Sequence, residues 1–375
     1  MSREICVVTG IFPPESGGPA KFALTFAQWL IKNKHLVSVL TLTDGPTTSY
    51  ELNGFMVRRI TRNMKLPLRY LKTILEIRKN SLSGKILLIN GCFIETGLAY
   101  LGSNRKYVAK VPGDIVWERA RNNGRTTLDI NDFQKVFLGL SYWIFRLLFT
   151  YSLKRAEKVI VPSNELRDLC VGWGIPVRKL IVVFNSVSAD LFHNIKEQKK
   201  KFDVISVGRL VAWKGNVELI EACASLNLSL AIAGSGPELP LLEALVKKNN
   251  ANVTFLGDVQ TADLCEMYNS AKMYVLNSSY EGTSHSLLEA RACGLITIAR
   301  ADVGSNNDVI DHTVDGFLVG QQTGLDLIGA LKLVSDRGFN SDSVTKLATK
   351  NTISSFGTDI IFGKIHEVIK AYSHD

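Results

Sequence analysis

Glu281-Gly282-Thr283-Ser284-His285-Ser286-Leu287-Leu288-Glu289-Ala290, then Cys293-Gly294 and the apolar run Leu295-Ile296-Thr297-Ile298-Ala299, is the stretch on which the reading of this chain turns. An apolar strand pattern at 273–276 precedes it, and a helical pattern follows the turn. The first glutamate then lies in a loop and the second on a helix. Both can face the crevice outside the carboxyl ends of a parallel sheet, where open α/β sheets bind ligands. Backbone N–H groups at the helix start between them form an anion site. Two carboxylates around an anion site suit a phosphorylated sugar, because hydroxyls need acceptors and phosphates need donors. A loop-to-helix junction with two surface glutamates would read the same way, so the rest of the chain has to decide.

The 375 residues exceed one ordinary core and predict two or three domains. A content of 46% apolar and 21% charged residues is that of a globular protein. Six scattered cysteines with no Cys-x-x-Cys pair point to reduced thiols rather than disulfides or a zinc site. The opening residues run straight into a strand pattern without the features of a secretory leader, so a cytoplasmic location is expected. The net charge of +9 is uneven: residues 1–190 hold 27 Lys and Arg against 14 Asp and Glu. That asymmetry predicts that the first half meets something anionic.

Nine of those cations fall within 58–85: Arg58, Arg59, Arg62, Lys65, Arg69, Lys72, Arg78, Lys79 and Lys85. Lys65, Arg69, Lys72, Glu76 and Lys79 share one helical stripe, with Leu68, Leu71, Ile74 and Leu75 off it. A basic amphipathic helix of this kind suits an anionic membrane surface, and a solvated outer helix fits it equally. No nucleic-acid-binding module is present, and no nucleic-acid partner is expected. The run 136–153 (VFLGLSYWIFRLLFTYSL) is the most apolar, but Arg146 interrupts it. A buried helix, or one dipping into a lipid face, is expected there rather than a membrane span.

Strand patterns at 5–9, 37–42, 85–89, 107–111 and 159–162 alternate with helical stretches. A second series follows at 204–207, 228–233, 253–256, 273–276, 296–299 and 317–319. This alternation predicts an α/β protein of two Rossmann-like lobes with a cleft between them. The charged stretch from Asn194 to Lys201 marks the expected boundary, giving domains at 1–190 and 191–358. A helical C-terminal segment, 359–375, follows.

Further motifs sit where strands end. Gly208-Arg209-Leu210-Val211-Ala212-Trp213-Lys214-Gly215 follows the strand at 204–207. Arg209 offers a planar fork of donors and Lys214 a compact point charge, together able to neutralise a leaving diphosphate. Gly234-Ser235-Gly236-Pro237 follows the strand at 228–233, and Leu239 stands where a dinucleotide fingerprint would carry its third glycine. Gly257-Asp258-Val259 closes the next strand. In the first half, Ile11-Phe12-Pro13-Pro14-Glu15-Ser16-Gly17-Gly18-Pro19 links strand to helix, and its glycines permit close backbone approach to a ligand.

The Glu-Gly, five residues, Leu-Glu-Ala pattern and the Gly-Arg, four residues, Lys-Gly pattern resemble those of the large family-4 type of retaining glycosyltransferases with the two-lobed GT-B fold. That family includes many bacterial polysaccharide and lipid-linked sugar transferases. The resemblance covers about 203–319 and the first glycine loop. It implies transfer, with retention, from a nucleoside-diphosphate sugar, with UDP expected ahead of GDP. Glu281 would contact donor sugar hydroxyls, Glu289 the ribose, and Arg209 and Lys214 the diphosphate. Gly282, Thr283, Ser284, His285, Ser286 and Leu287 would form the donor's phosphate and sugar side. Gly208, Gly234, Gly236, Pro237 and Val259 would lie against the nucleotide, with Gly17 and Gly18 opposite. The last helix would return to the first lobe.

Departures matter as well. Many relatives carry a His after the strand that here spans 106–111, where this chain continues Lys110-Val111-Pro112-Gly113-Asp114. Asp114 is the nearest polar substitute, either as a catalytic group taking the acceptor's proton or as an N-cap of the following helix. The loop Val303-Gly304-Ser305-Asn306-Asn307-Asp308 matches imperfectly and keeps a packing role. No metal-ligand spacing and no Asp-x-Asp loop are present, so a metal-independent enzyme without a cofactor is expected. The basic lobe and apolar run favour a lipid-linked glycan acceptor of envelope polysaccharide or lipopolysaccharide synthesis, with the enzyme peripheral on the inner face of the membrane. A GT-B-fold sugar epimerase or phosphorylase, or a non-catalytic nucleotide-sugar-binding adaptor, are the alternatives.

Overall fold

β1 (Ile5–Thr9) is buried at every position in the computed structural model, as a strand covered on both faces must be. The structure describes residues 3–15, 17–336, 339 and 341–371. Two compact units result. The first holds the described residues to Val183 together with those from Phe362 onward, and the second runs from Phe184 to Ile361.

In the first unit β1, β2 (Val37–Thr43), β3 (Thr48–Leu52), β4 (Phe55–Thr61), β5 (Ile86–Ile89), β6 (Val108–Lys110), β7 (Lys158–Val161) and β8 (Leu180–Val182) form one sheet. Their order is β3-β4-β2-β1-β5-β6-β7-β8. All pairs are parallel except β3 with β4. That edge hairpin was not expected, although its turn carries a strong signal. Asn53 and Gly54 both have positive φ, 49° and 86°, as a two-residue hairpin turn of the primed type requires. The connecting helices are α1 (Gly18–Lys32), α2 (Leu66–Leu82), α3 (Phe93–Ala99), α4 (Ile115–Asn122), α5 (Ile130–Phe133), α6 (Leu140–Arg155) and α7 (Asn164–Gly172).

The second unit carries β9 (Phe202–Val207), β10 (Leu230–Ala233), β11 (Val253–Gly257), β12 (Ala271–Leu276), β13 (Ile296–Arg300) and β14 (Phe317–Val319). This sheet is parallel throughout, in the order β11-β10-β9-β12-β13-β14. Its helices are α8 (Asn216–Ser225), α9 (Leu239–Asn249), α10 (Thr261–Asn269), α11 (His285–Ala292), α12 (Asn306–Val309), α13 (Leu327–Ser335) and α14 (Ser341–Phe356). Two apolar layers cover it. One gathers Tyr268, Tyr274, Leu287, Leu288 and Phe356, and the other Leu219, Leu242, Ile296, Phe317 and Leu331. β9 is first in sequence, with β10 on one side and β12 on the other. The topological switch point, where such sheets bind ligands, therefore lies between β9 and β12.

α15 (Thr358–Lys370) begins in the second unit and continues into the first. There Phe362 meets Phe22 and Phe26 edge-on, with ring centroids 5.9 and 5.2 Å apart. The division between units falls ahead of the polar stretch expected to mark it. Residues 184–201 belong to the second unit: Phe192 is in its core, and Asn269 holds the backbone N–H of Ile195 (2.8 Å) and Lys200 Nζ (2.8 Å). Charge along that stretch marks a surface strap, and the contacts beneath it decide which unit it joins. Among the described residues no helix is long and apolar enough to cross a membrane.

The basic stretch 58–85 also differs from its reading. Arg58 pairs with Glu76, Lys85 with Glu4, and Arg62 with Glu15 and Asp44. Arg59 donates to the carbonyl of Pro13 and to Tyr50 Oη. Several of the nine cations thus hold the unit together. On α2, Leu66, Leu68, Leu71, Leu75 and Leu82 are exposed alongside Arg78 and Lys79, while Arg69 and Lys72 are half-buried.

Candidate active site

The residues singled out in the second half of the sequence meet at the β9/β12 switch point. The turn after β9 brings Gly208 and Arg209, and the chain then curls through Val211 to Lys214. Gly215, with φ 65°, caps α8. A Cβ on Gly215 would stand 2.3 Å from the carbonyl oxygen of Asn277, so only glycine permits this approach. Asn277 Nδ2 in turn donates to the Gly215 carbonyl at 3.0 Å, and Ser279 N to that of Trp213 at 2.8 Å. These bonds tie the loop after β12 to the Lys-Gly turn.

The consequence is a contact that spacing could not show: Lys214 Nζ donates to Glu281 Oε1. The side chains are 19% and 12% exposed, so the pair is well shielded and stronger than a surface ion pair. The Lys214 side chain also passes over Gly208, its Cε 3.5 Å from where a Cβ would stand. Arg209 stands beside them, exposed.

The neighbouring turns are packed backbone on backbone. A Cβ on Gly234 would lie 2.0 Å from the Gly208 carbonyl, and one on Gly236 2.3 Å from that of Leu210. Gly234 N donates to the Gly257 carbonyl at 2.7 Å, which sets the turns after β10 and β11 side by side. Ser235 Oγ donates to Asp258 at 2.8 Å; Pro237 is exposed and Val259 half-buried at this edge.

Ser284 caps α11, its Oγ accepting from Leu287 N at 3.3 Å. Ser286 Oγ accepts from the buried Tyr274 hydroxyl at 2.7 Å and lies 3.0 Å from Ser284 Oγ. Thr283 is buried and its carbonyl accepts from Asn185 Nδ2 at 2.8 Å; His285 is half-buried. Leu287 belongs to the core, so it offers a ligand its main chain alone. Glu289 lies in the second turn of α11, 4% exposed, with Tyr268 Oη donating to Oε2 at 3.0 Å. Burial, and then the Glu289 carboxylate, push the Tyr268 phenol far above its ordinary pKa, which keeps it a donor. Gly304 supports the Glu281–Gly282 turn: a Cβ there would be 2.3 Å from the Gly282 carbonyl, which also accepts from Ser305 N at 3.0 Å. That is the packing role expected of the loop at 303–308.

Sequence reasoning missed Tyr268 and Asn277, which act through others and carry no local signal. It also passed over Arg291, which is fully buried. Arg291 bonds Asp315 Oδ2 (2.7 Å), the Asp315 carbonyl (2.8 Å), Thr297 Oγ1 (3.3 Å) and Thr352 Oγ1 (2.9 Å). The network fastens α11, and with it Glu289, to α14.

In the first unit the switch point lies between β1 and β5. A Cβ on Gly91 would be 2.3 Å from Gly10 N, and Asn90 Nδ2 donates to the Pro19 carbonyl at 3.0 Å. Arg62 clamps the glycine loop through the Gly10 carbonyl (2.6 Å) and Glu15 (2.7 Å). Gly17 caps α1, and Gly18 is its first residue.

Asp114 is fully buried, and of the two roles the sequence offered its geometry shows the N-cap. Oδ1 accepts from Val116 N (3.0 Å) and Trp117 N (3.2 Å), the N-cap arrangement for α4. Oδ2 accepts from Arg146 Nη2 (2.6 Å) and Gln134 Nε2 (3.0 Å). The Arg146 guanidinium in turn lies over the Trp173 ring at 4.5 Å. The carboxylate thus ties α4 to Gln134 and α6. Among the described residues no cluster of His, Cys, Asp or Glu is arranged to hold a metal.

Two parallel-sheet units with a cation and carboxylates at the second switch point define the class: a GT-B fold. The model for glycosyl transferases group 1 matches residues 188–346, and that for glycosyltransferase family 4 matches residues 16–191. The chain belongs to this family of glycosyltransferases. It is 26% identical, over 98% of both chains, to an uncharacterized glycosyltransferase of Methanocaldococcus jannaschii. It is 22% identical, over 90% of this chain and 88% of the other, to the UDP-Gal:alpha-D-GlcNAc-diphosphoundecaprenol alpha-1,3-galactosyltransferase of Escherichia coli. Among solved structures, the sucrose-phosphate synthase of Thermosynechococcus elongatus superposes with a TM-score of 0.80 at 18% identity, covering 99% of both chains.

Proposed function

We propose that this glycosyltransferase moves a sugar from a UDP-sugar to a hydroxyl of a lipid-linked glycan, with retention of configuration and without a metal. The observation that carries the reading is the shielded Lys214–Glu281 pair at the β9/β12 switch point. When the bond from the anomeric carbon to the diphosphate breaks, charge builds on the departing phosphate. Lys214 and the exposed Arg209 supply fixed positive charge for it, and the capped start of α11, Gly282 to Leu287, adds its dipole. Glu281 then accepts from donor sugar hydroxyls, with His285 alongside. Glu289, oriented by Tyr268, accepts from the ribose. The glycine turns at Gly208, Gly234 and Gly236, with Pro237 and the main chain of Val259, form the floor and edge for the nucleotide. Gly17 and Gly18 offer backbone to the acceptor side. No separate cofactor is called for.

The lipid-linked acceptor has two supports. The Escherichia coli relative bears a diphosphoundecaprenol acceptor in its name. In the first unit, Leu66, Leu68, Leu71 and Leu75 of α2 and Leu140, Trp143 and Leu147 of α6 stand exposed, as on a surface that lies against lipid. Peripheral attachment to the cytoplasmic face of a membrane follows from the same reading.

The test is calorimetric titration of the full chain with UDP and GDP in chelator, followed by transfer from UDP-hexoses to a polyprenyl-diphosphate-linked sugar. UDP binding that weakens in Arg209→Ala and Glu289→Ala, with metal-free transfer, is the expected result. Binding without transfer to any acceptor would favour a nucleotide-sugar-binding adaptor. Absence of UDP and GDP binding would overturn the donor assignment.

A further inference from the structure

α6 turns an apolar stripe outward. Leu140, Trp143, Ile144 and Leu147 follow the spacing of one helical face, yet they are 64%, 51%, 42% and 51% exposed. Beside this stripe the first unit contains a cavity of about 470 Å³, walled by Tyr70 of α2, Ile94 of α3, Arg119 of α4, Arg125, and Phe145 and Leu148 of α6. Ile144 belongs both to the wall and to the exposed stripe, so the cavity opens onto it. The lining includes Arg119 and Arg125 and no acidic side chain. The Arg119 guanidinium lies over the Phe145 ring, 4.9 Å from its centroid, which fixes a cation against an aromatic wall. A second cavity, of about 410 Å³, flanks the other side of α6, but its arginine, Arg146, is already paired with Asp114.

We infer that the cavity between α2, α4 and α6 binds the diphosphate and first isoprene units of a polyprenyl diphosphate, and that the rest of the polyprenyl chain leaves along the α6 stripe. This rests on the lipid-linked reading of the acceptor and gives it a site. Two arginine forks in a lining without a carboxylate match a diphosphate, whose paired phosphates offer oxygens to both. Burial, and then the buried Glu95 carboxylate, raise the pKa of the Tyr70 phenol of the wall. The aromatic and aliphatic walls match an unsaturated hydrocarbon. The volume is that of a small-molecule site and far below what a long polyprenyl chain needs. The chain must therefore exit over apolar surface, and α6 supplies it.

The experiment is calorimetric titration of the full-length protein with farnesyl diphosphate at saturating UDP, against inorganic pyrophosphate and farnesol. Farnesyl diphosphate should bind more tightly than either. Arg119→Glu and Arg125→Glu should each weaken it by about tenfold or more, the loss expected for a charge-assisted bidentate contact. Ile144→Ser should weaken farnesyl diphosphate and leave pyrophosphate unchanged. All three substitutions are on the surface of the first unit; an unchanged thermal unfolding midpoint certifies that unit, and an unchanged UDP affinity certifies the second. Equal binding of farnesyl diphosphate and pyrophosphate, or variants that bind like the wild type, would overturn the site. A vesicle arm separates the lipid sources. Neutral vesicles carrying undecaprenyl diphosphate should recruit the protein through Arg119 and Arg125. Recruitment only by phosphatidylglycerol, regardless of undecaprenyl diphosphate, would assign the arginines to the bilayer surface instead. Failure here with UDP binding intact removes this site and leaves glycosyl transfer standing.

Discussion

Lys214 and Glu281 are 67 residues apart and share one hydrogen bond. Their closeness depends on glycine at 215, where any Cβ would strike Asn277. Lys214→Ala removes the cation and leaves Glu281 shielded without its partner. Transfer should then fall by about two to three orders of magnitude, the range seen when one preorganised charge-stabilising group is lost. UDP affinity, read by calorimetry, should drop as well. Glu281→Gln should instead lower turnover while leaving UDP affinity near the wild-type value, since its role is with the sugar. A Glu281→Gln variant with normal turnover would remove the carboxylate from the mechanism.

At the scale of elements, two shielded ion pairs hold helices of the two units. Asp114 and Arg146 join α4 to α6, while Arg291 and Asp315 lock α11. Removing Arg291, or removing Arg146 from the fully buried Asp114, strands a carboxylate in the interior, at a cost of about 3–5 kcal/mol. Arg291→Met should therefore lower the denaturation midpoint sharply. Asp114→Ala removes an N-cap as well and should destabilise comparably. Thermal unfolding checks both. Because Asp114 positions rather than reacts, Asp114→Asn should keep the pH profile of transfer while losing stability. A changed acid limb would return the residue to the chemistry.

For the whole molecule, charge and apolar surface are concentrated in the first unit. Attachment to anionic vesicles should combine both, so raising salt should weaken it without abolishing it, as the Debye length shrinks from about 10 Å at 0.1 M to about 3 Å at 1 M. Replacing Leu68, Leu71 and Leu75 with Ser should remove the salt-resistant part. Flotation assays read both effects, and complete loss of binding in high salt would exclude insertion of the leucines.

The sequence by itself determined the class of fold. Short apolar strands alternating with helical patterns leave few arrangements other than parallel sheets, and motifs at strand ends are carried to one edge of such a sheet. It therefore also grouped Arg209, Lys214, Glu281 and Glu289, since the first two lie in the loop after one strand and the last two in the loop and helix after another. The Asn53-Gly54 hairpin turn was legible too, because Asn-Gly is the pair that a two-residue primed turn demands. Other features came from contacts between distant segments. The tertiary structure alone decided that Lys214 meets Glu281, that Arg291 is a buried lock, and that the cations at 58, 59, 62 and 85 are largely spent within the unit. It also decided that α2 and α6 turn leucines outward. A linear pattern records how often apolar residues recur, but which face is covered depends on what packs there. Likewise, the role of Asp114 follows from its four hydrogen-bond donors, which come from α4, Gln134 and α6 and meet only once the chain has folded.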